Sequence, residues 1–229
     1  MKNKMMKLAT VLMVAVLITT SVVSSTYARY AVGGSGGDSA RVAKWGVKVT
    51  TSTKGMFATT YKNQEKLDGA SAGQTVSVSS SNANENLVAP GTRGSTTISL
   101  SGTPEVAVDV KFVMGVQADV KIPKNTAITS TSTLETDYTP VRFTLTDSFG
   151  NELGRGTIND IKAAFNNLSK QYAPNTDLTE TYTLSWEWAT DVNNEADTYL
   201  GNVASGSIID DKTTTGIKFN YSVTVTQID

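Results

Sequence analysis

The chain contains no cysteine and no histidine among its 229 residues. Without cysteine it forms no disulfide, and attachment of a lipid through a thiol is excluded. Without histidine, Ser-His-Asp and Cys-His nucleophile systems are excluded, as are His-based zinc and iron sites. Carboxylates, lysines, tyrosines, serines and threonines remain for chemistry. Two facing carboxylates can run glycoside hydrolysis, but nothing in the sequence marks which of the 21 acidic residues would pair. A basic excess is also missing. Without Lys2, Lys4 and Lys7 the balance is 17 basic to 21 acidic residues, which argues against nucleic acid or anionic lipid as partner. Beyond residue 23 there is no second apolar run of spanning length.

The first run has the layout of an export signal. Lys2, Lys4 and Lys7 form a basic start, and Leu8 to Val23 is apolar apart from Thr10, Thr19, Thr20 and Ser21. Thr26-Tyr27-Ala28 then places small residues at the −3 and −1 positions for a signal peptidase. A membrane span needs about 20 strongly apolar residues, and this run is shorter. Cleavage between Ala28 and Arg29 is therefore expected. The expected divisions are a signal peptide over 1–28, a flexible N-terminal segment over 29–39 and a folded domain over 40–229. The released protein would be extracellular, with no membrane contact after cleavage. Gly33-Gly34-Ser35-Gly36-Gly37 is not a phosphate cradle, because Asp38 stands where a P-loop needs Lys-Ser/Thr and a helix. It reads as a hinge.

From Ala43 apolar residues alternate with polar ones. The pattern runs through Ala43/Trp45/Val47/Val49, Val76/Val78, Thr96/Ile98/Leu100, Val106 to Met114, Val120/Ile122, Val141/Phe143/Leu145, Tyr182 to Trp188 and Ile217 to Val225. One dry and one wet face is the signature of antiparallel sheets. Turn signals at Ala89-Pro90-Gly91 and Phe149-Gly150-Asn151 separate such stretches. The expected fold is all-β, an antiparallel β-sandwich of seven to nine strands. One amphipathic helix is predicted over about 157–172. Ile158, Ile161, Phe165, Leu168 and Tyr172 share one of its faces, Thr157 caps it, Asp160 lies in its first turn and Pro174 follows.

Tyr182, Leu184, Trp186 and Trp188 read as a core row, with Trp45 joining it from the first strand; an exposed aromatic row would instead be a sugar platform. Asp191, Asn193, Glu195 and Asp197 offer oxygens at alternate positions, as calcium loops begin. An EF-hand loop also needs Gly at its sixth and Glu at its twelfth position, where this chain has Ala196 and Asn202. A solvated acidic loop, with a helical turn over 196–200, is the preferred reading. No cofactor is expected.

Several motifs together resemble the TasA/camelysin family of secreted Gram-positive proteins, whose signal peptides are handled by a dedicated peptidase. They are Thr26-Tyr27-Ala28-Arg29-Tyr30 followed by Ser39-Ala40-Arg41-Val42-Ala43-Lys44-Trp45, the Leu87–Gly94 turn, and Trp186-Glu187-Trp188 with Asn194–Gly201 after it. The closing strand Tyr221–Gln227 is similar too. The resemblance implies a jelly-roll-like sandwich that builds biofilm-matrix or cell-surface fibres. It also implies that the segment from Arg29 to about Asp38 adds a strand to the next subunit. The residues concerned are Arg29, Tyr30, Ala31, Val32, Gly33 and Gly34, with Tyr30 and Val32 on one side of an extended chain. The implied partners are further copies of the chain, joined head to tail, and the signal peptidase, with an anchoring or initiating protein left open. Camelysin has been described as a metallopeptidase. Without histidine that activity is not carried over, and the expectation is a protein that is not an enzyme. The alternative is a secreted carbohydrate-binding or adhesive β-sandwich module, with a camelysin-like peptidase or a carboxylate-based hydrolase ranked after it.

Overall fold

The computed structural model describes residues 41–52, 55–65, 73–190 and 192–228. The chain divides after Val42 into two units, the second of which is Ala43–Asp229. Ala28 to Gly34, which carry the expected cleavage point and donor segment, lie outside the described residues.

In chain order the elements are β1 (Lys48–Thr51), β2 (Thr60–Glu65), β3 (Thr75–Ser79), β4 (Arg93–Gly102), β5 (Val108–Ala118), β6 (Val141–Thr146) and β7 (Glu152–Gly156). Then come α1 (Ile158–Asn166), β8 (Lys170–Tyr172), β9 (Leu178–Trp188), α2 (Asn194–Ala204) and β10 (Lys218–Gln227). One sheet has the order β1-β4-β9-β6-β7 and the other β10-β5-β8, while β2 and β3 form a separate hairpin. All pairings are antiparallel. The fold is the all-β sandwich expected, with eight strands in its two facing sheets.

Alternation decides which faces meet. Ile98 and Leu100 on β4, Tyr182, Leu184, Trp186 and Trp188 on β9, and Val141, Phe143 and Leu145 on β6 turn inward and are buried. They oppose Val108, Val110, Phe112 and Met114 of β5. Phe112 lies edge-on to Tyr182 with ring centroids 5.5 Å apart, and Phe143 is edge-on to Phe219 of β10 at 6.2 Å. Each large apolar side chain buried this way contributes about 1.5–3 kcal/mol.

The helix α1 starts as expected. Thr157 and Asp160 form a reciprocal capping box, and Ile158, Ile161 and Phe165 are fully buried. It ends at Asn166, not near residue 172. The Asn166 side chain accepts from the Met114 N–H at 2.9 Å, and Ser169 Oγ accepts from the Phe112 N–H at 2.9 Å. These bonds draw the chain alongside β5, so Lys170–Tyr172 pairs as β8. Leu168 and Tyr172 continued the helical spacing, but Tyr172 is buried as a strand residue.

Three further expectations change. The first strand begins only at Lys48, because before it the Lys44 N–H and C=O are both bonded to Glu105 rather than to a strand. Trp45 therefore stays 40% exposed and does not join the core row. Val120 and Ile122 are buried, but Lys121 and Ile122 make only isolated bridges, to Thr214 and Tyr138. The turn expected at residues 196–200 is a full second helix, α2, capped by Asn193.

The Leu87–Gly94 motif has a structural basis. Ala89-Pro90-Gly91-Thr92 is a tight turn, with Gly91 at φ +82° and Thr92 N–H donating to Ala89 C=O at 3.0 Å. Proline then glycine at the centre suits a type II turn. Two residues on, Gly94 faces Trp186 across the ladder, and the buried Trp186 Nε1–H donates to Met56 C=O at 2.9 Å. A Cβ on Gly94 would stand 2.2 Å from that carbonyl oxygen and 2.9 Å from Nε1. Gly94→Ala should therefore overpack the site and cost about 1–3 kcal/mol. Gly201→Ala, on a helix position with nothing within 4 Å, should stabilise by up to about 1 kcal/mol. Denaturant titration of the two variants checks both signs.

Candidate functional site

The expected acidic site is divided among other roles. Asp191 lies outside the described residues. Asn193 is the N-cap of α2, its side chain accepting from the Ala196 N–H at 3.0 Å. Glu195 is exposed in the first turn. Asp197 turns inward, accepting from Tyr138 Oη at 2.7 Å and from Trp188 Nε1 at 3.2 Å. Burial pushes the Asp197 carboxyl above the usual carboxylate range, although both donors favour its charged form. Its partner Tyr138 is raised by burial and by Asp197. This carboxylate ties α2 to the end of β9. Among the described residues no group of three or more acidic side chains is placed to hold a metal.

The aromatic row is core. Trp186 is 2% exposed and Trp188 6%, with Phe57 and Tyr61 packed on Trp186 at ring distances of 5.2 and 6.0 Å. Neither tryptophan offers a sugar a face to stack on.

Two carboxylates do line one cleft of about 440 Å³, beside the β6–β7 turn: Asp147 and Glu180. Asp147 accepts from Asn151 Nδ2 and from the N–H groups of Phe149 and Asn151, which hold its carboxyl below the usual range. Burial pushes Glu180 up, but Lys170, Tyr182 and Tyr172 together hold its carboxyl below the usual range. Acid and base roles require two groups whose environments push their pKa values apart. Both groups here favour the charged form.

The raised acid lies elsewhere. Asp119 follows β5 and is half-buried, with Oδ1 out of contact with water and without a hydrogen-bond partner. Burial pushes its carboxyl up to about 6, against the main chain of Val120 and Ile158 and the charge of Arg142, while Asp160 adds to the rise. Asp160 is itself held low by Thr157 in the helix cap. The sequence offered no sign of Asp119, which is one acid at the end of a strand.

The remaining feature is an edge. β10 pairs with β5 on one side, and among the described residues no strand pairs with its other side. The Phe112 and Met114 N–H groups of β5 point away from β10, towards Ser169 and Asn166. In an antiparallel ladder their partners Val223 and Tyr221 then direct their own N–H and C=O groups outward. The inward side chains of Phe219, Tyr221, Val223 and Val225 are only partly buried, whereas Val108, Val110, Phe112 and Met114 beside them are no more than 1% exposed. Among the described residues the other edges are shorter. β1 has four residues, β8 three, and β7 five with α1 packed on it.

Comparisons with family models, curated proteins and solved structures find no match to this chain. Among the described residues no helix is long and apolar enough to cross a membrane.

Asp119 sets the pH dependence. Its folded pKa of about 6 lies above the unfolded value of about 3.9, so the folded state binds the proton more tightly. Asp137, Asp147, Asp160, Glu180 and Asp210 are all held low in the fold, so above about pH 5 their carboxyls are largely ionised folded or unfolded. From there stability should fall as pH rises through about 6 and then level off. Asp197 acts in the same direction, and no histidine contributes. Melting temperature should be higher at pH 5 than at pH 7, and Asp119→Asn should shrink the difference. A melting temperature that rises from pH 5 to 7 would contradict this assignment.

Proposed function

We propose that this protein is a secreted structural subunit that polymerises head to tail. Arg29 to about Asp38 of one copy adds as a strand to the free edge of β10 in the next. The observation that carries the reading is that edge. Natural sheets protect long edges with charge, proline, bulges or a covering element. β10 is ten residues long, with its only charge at Lys218 and no proline. A register shift occurs only between Lys218 and Phe219. An added strand supplies main-chain hydrogen bonds to Tyr221, Val223 and Val225, and its alternate side chains extend the half-buried row. Tyr30 and Val32 have the spacing and apolar character for that role. Because the contact joins two different surfaces, it does not close on itself and propagates as a filament.

The buried tryptophans remove support for a sugar platform on β9. The commitment of Asp147 and Glu180 to structural bonds argues against a carboxylate hydrolase in the cleft beside the β6–β7 turn. An N-terminal donor segment, a glycine hinge and an open acceptor edge together favour assembly.

Two variants test the proposal. Deleting residues 29–38 from the mature chain should leave a folded monomer that forms no filaments by electron microscopy. Val223→Pro should also abolish filaments, because it removes an outward N–H and places a ring on the free edge without breaking the β5 ladder. Its melting temperature should fall only modestly. Filaments from the deletion variant would reject the donor segment. Filaments from Val223→Pro alone would move the acceptor to another edge.

A further inference from the structure

The outer face of the five-stranded sheet carries a second feature, independent of assembly. The chain has five arginines and 15 lysines. Arg93, Arg142 and Arg155 all line one groove of about 600 Å³, and among the described residues no lysine lines it. Ladder register puts them there. Arg93 and Arg142 flank Glu187 in one cross-strand row. In the next row Ser95, Ser185, Thr144 and Arg155 follow one another across four strands. The result is a floor of short hydroxyl side chains rimmed by three guanidinium groups.

The groove already holds one carboxylate. Glu187 lies 3.4 Å from the Arg155 guanidinium, and Arg93 donates to the Glu65 C=O at 2.9 Å. Among the described residues Arg142 has no carboxylate within ion-pair distance, although its charge is felt at Asp119 and Asp160. Counting Glu152 and Glu187, the described residues of the lining carry one net positive charge, on a chain whose net charge is negative. Arginine rather than lysine is the side chain whose planar fork grips a carboxylate by two bonds.

We infer that this groove binds a carboxylated polysaccharide, a chain of uronate sugars. Its volume falls in the range of about 300–1,000 Å³ used by ligand clefts. The arginines take sugar carboxylates, and Ser95, Ser185, Thr144 and Gln64 hydrogen-bond sugar hydroxyls. An acidic peptide is the weaker occupant. The floor is mid-sheet, where β4, β9 and β6 use their main-chain groups in the ladder, so a peptide backbone finds no edge to pair with.

The test is calorimetric titration of the mature protein with polygalacturonate, with dextran and polyglutamate as comparisons, at low and physiological salt. Polygalacturonate should bind, more weakly as salt rises, and dextran should not. Arg142→Gln with Arg155→Gln should weaken binding by about tenfold or more. Lys111→Gln with Lys162→Gln, off the groove, should leave it unchanged. Glu187→Gln removes the competing carboxylate and should tighten binding, an effect a purely structural ion pair would not produce. The inference is overturned if polygalacturonate does not bind or if the lysine pair matters as much as the arginine pair. It is equally overturned if polyglutamate binds as tightly. Melting curves of each variant separate lost binding from lost folding.

Discussion

Two sheets of unequal width face each other, five strands against three, and much of the structure follows from that mismatch. Three strands span roughly 10 Å between their outer axes, at about 4.8 Å per step, and five span roughly 19 Å. The inner face of the wider sheet must be covered by something besides β10-β5-β8. On one side α1 supplies Ile158, Ile161 and Phe165, with Phe165 edge-on to both Phe112 and Tyr221. Elsewhere Met56, Phe57 and Tyr61 cover Trp186, held by the indole bond to Met56 and by the Tyr61 hydroxyl donating to Leu87 C=O.

The same mismatch distinguishes the two flanks of β5. One flank is finished by β8 and then by Ser169 and Asn166, side chains standing in for a strand. The other is finished by β10, and β10 by nothing among the described residues. A row that is fully buried on β5 becomes half-buried one strand further out. An added strand would bury that row further, which is the driving force the proposed assembly would draw on. The arginine groove lies on the outer face of the other sheet, away from the β10 edge.

Strands with one face on the core were legible in the sequence. β4, β5, β6, β9 and β10 each alternate cleanly, because burial on one side demands it. β2, β7 and β8 were not read, since they are short edge or hairpin strands with little buried on either face. Trp45 is half-exposed because its neighbour Lys44 bonds to Glu105 outside the ladder, which alternation alone does not reveal. The overlong helix came from Tyr172, whose burial in β8 coincides with helical spacing. Of the candidate site, the donor segment was legible as composition alone, whereas the β10 edge required the pairing order. The arginine groove was invisible, because register brings together residues 93, 142 and 155 from three separate strands.

Hydrogen exchange at the outward amides of β10 tests assembly through this edge most directly. In the mature monomer Tyr221, Val223 and Val225 should exchange quickly, while Ser222 and Thr224, bonded to β5, are protected. In filaments all five should be protected. Rapid exchange of Tyr221, Val223 and Val225 in intact filaments would contradict the assembly proposed.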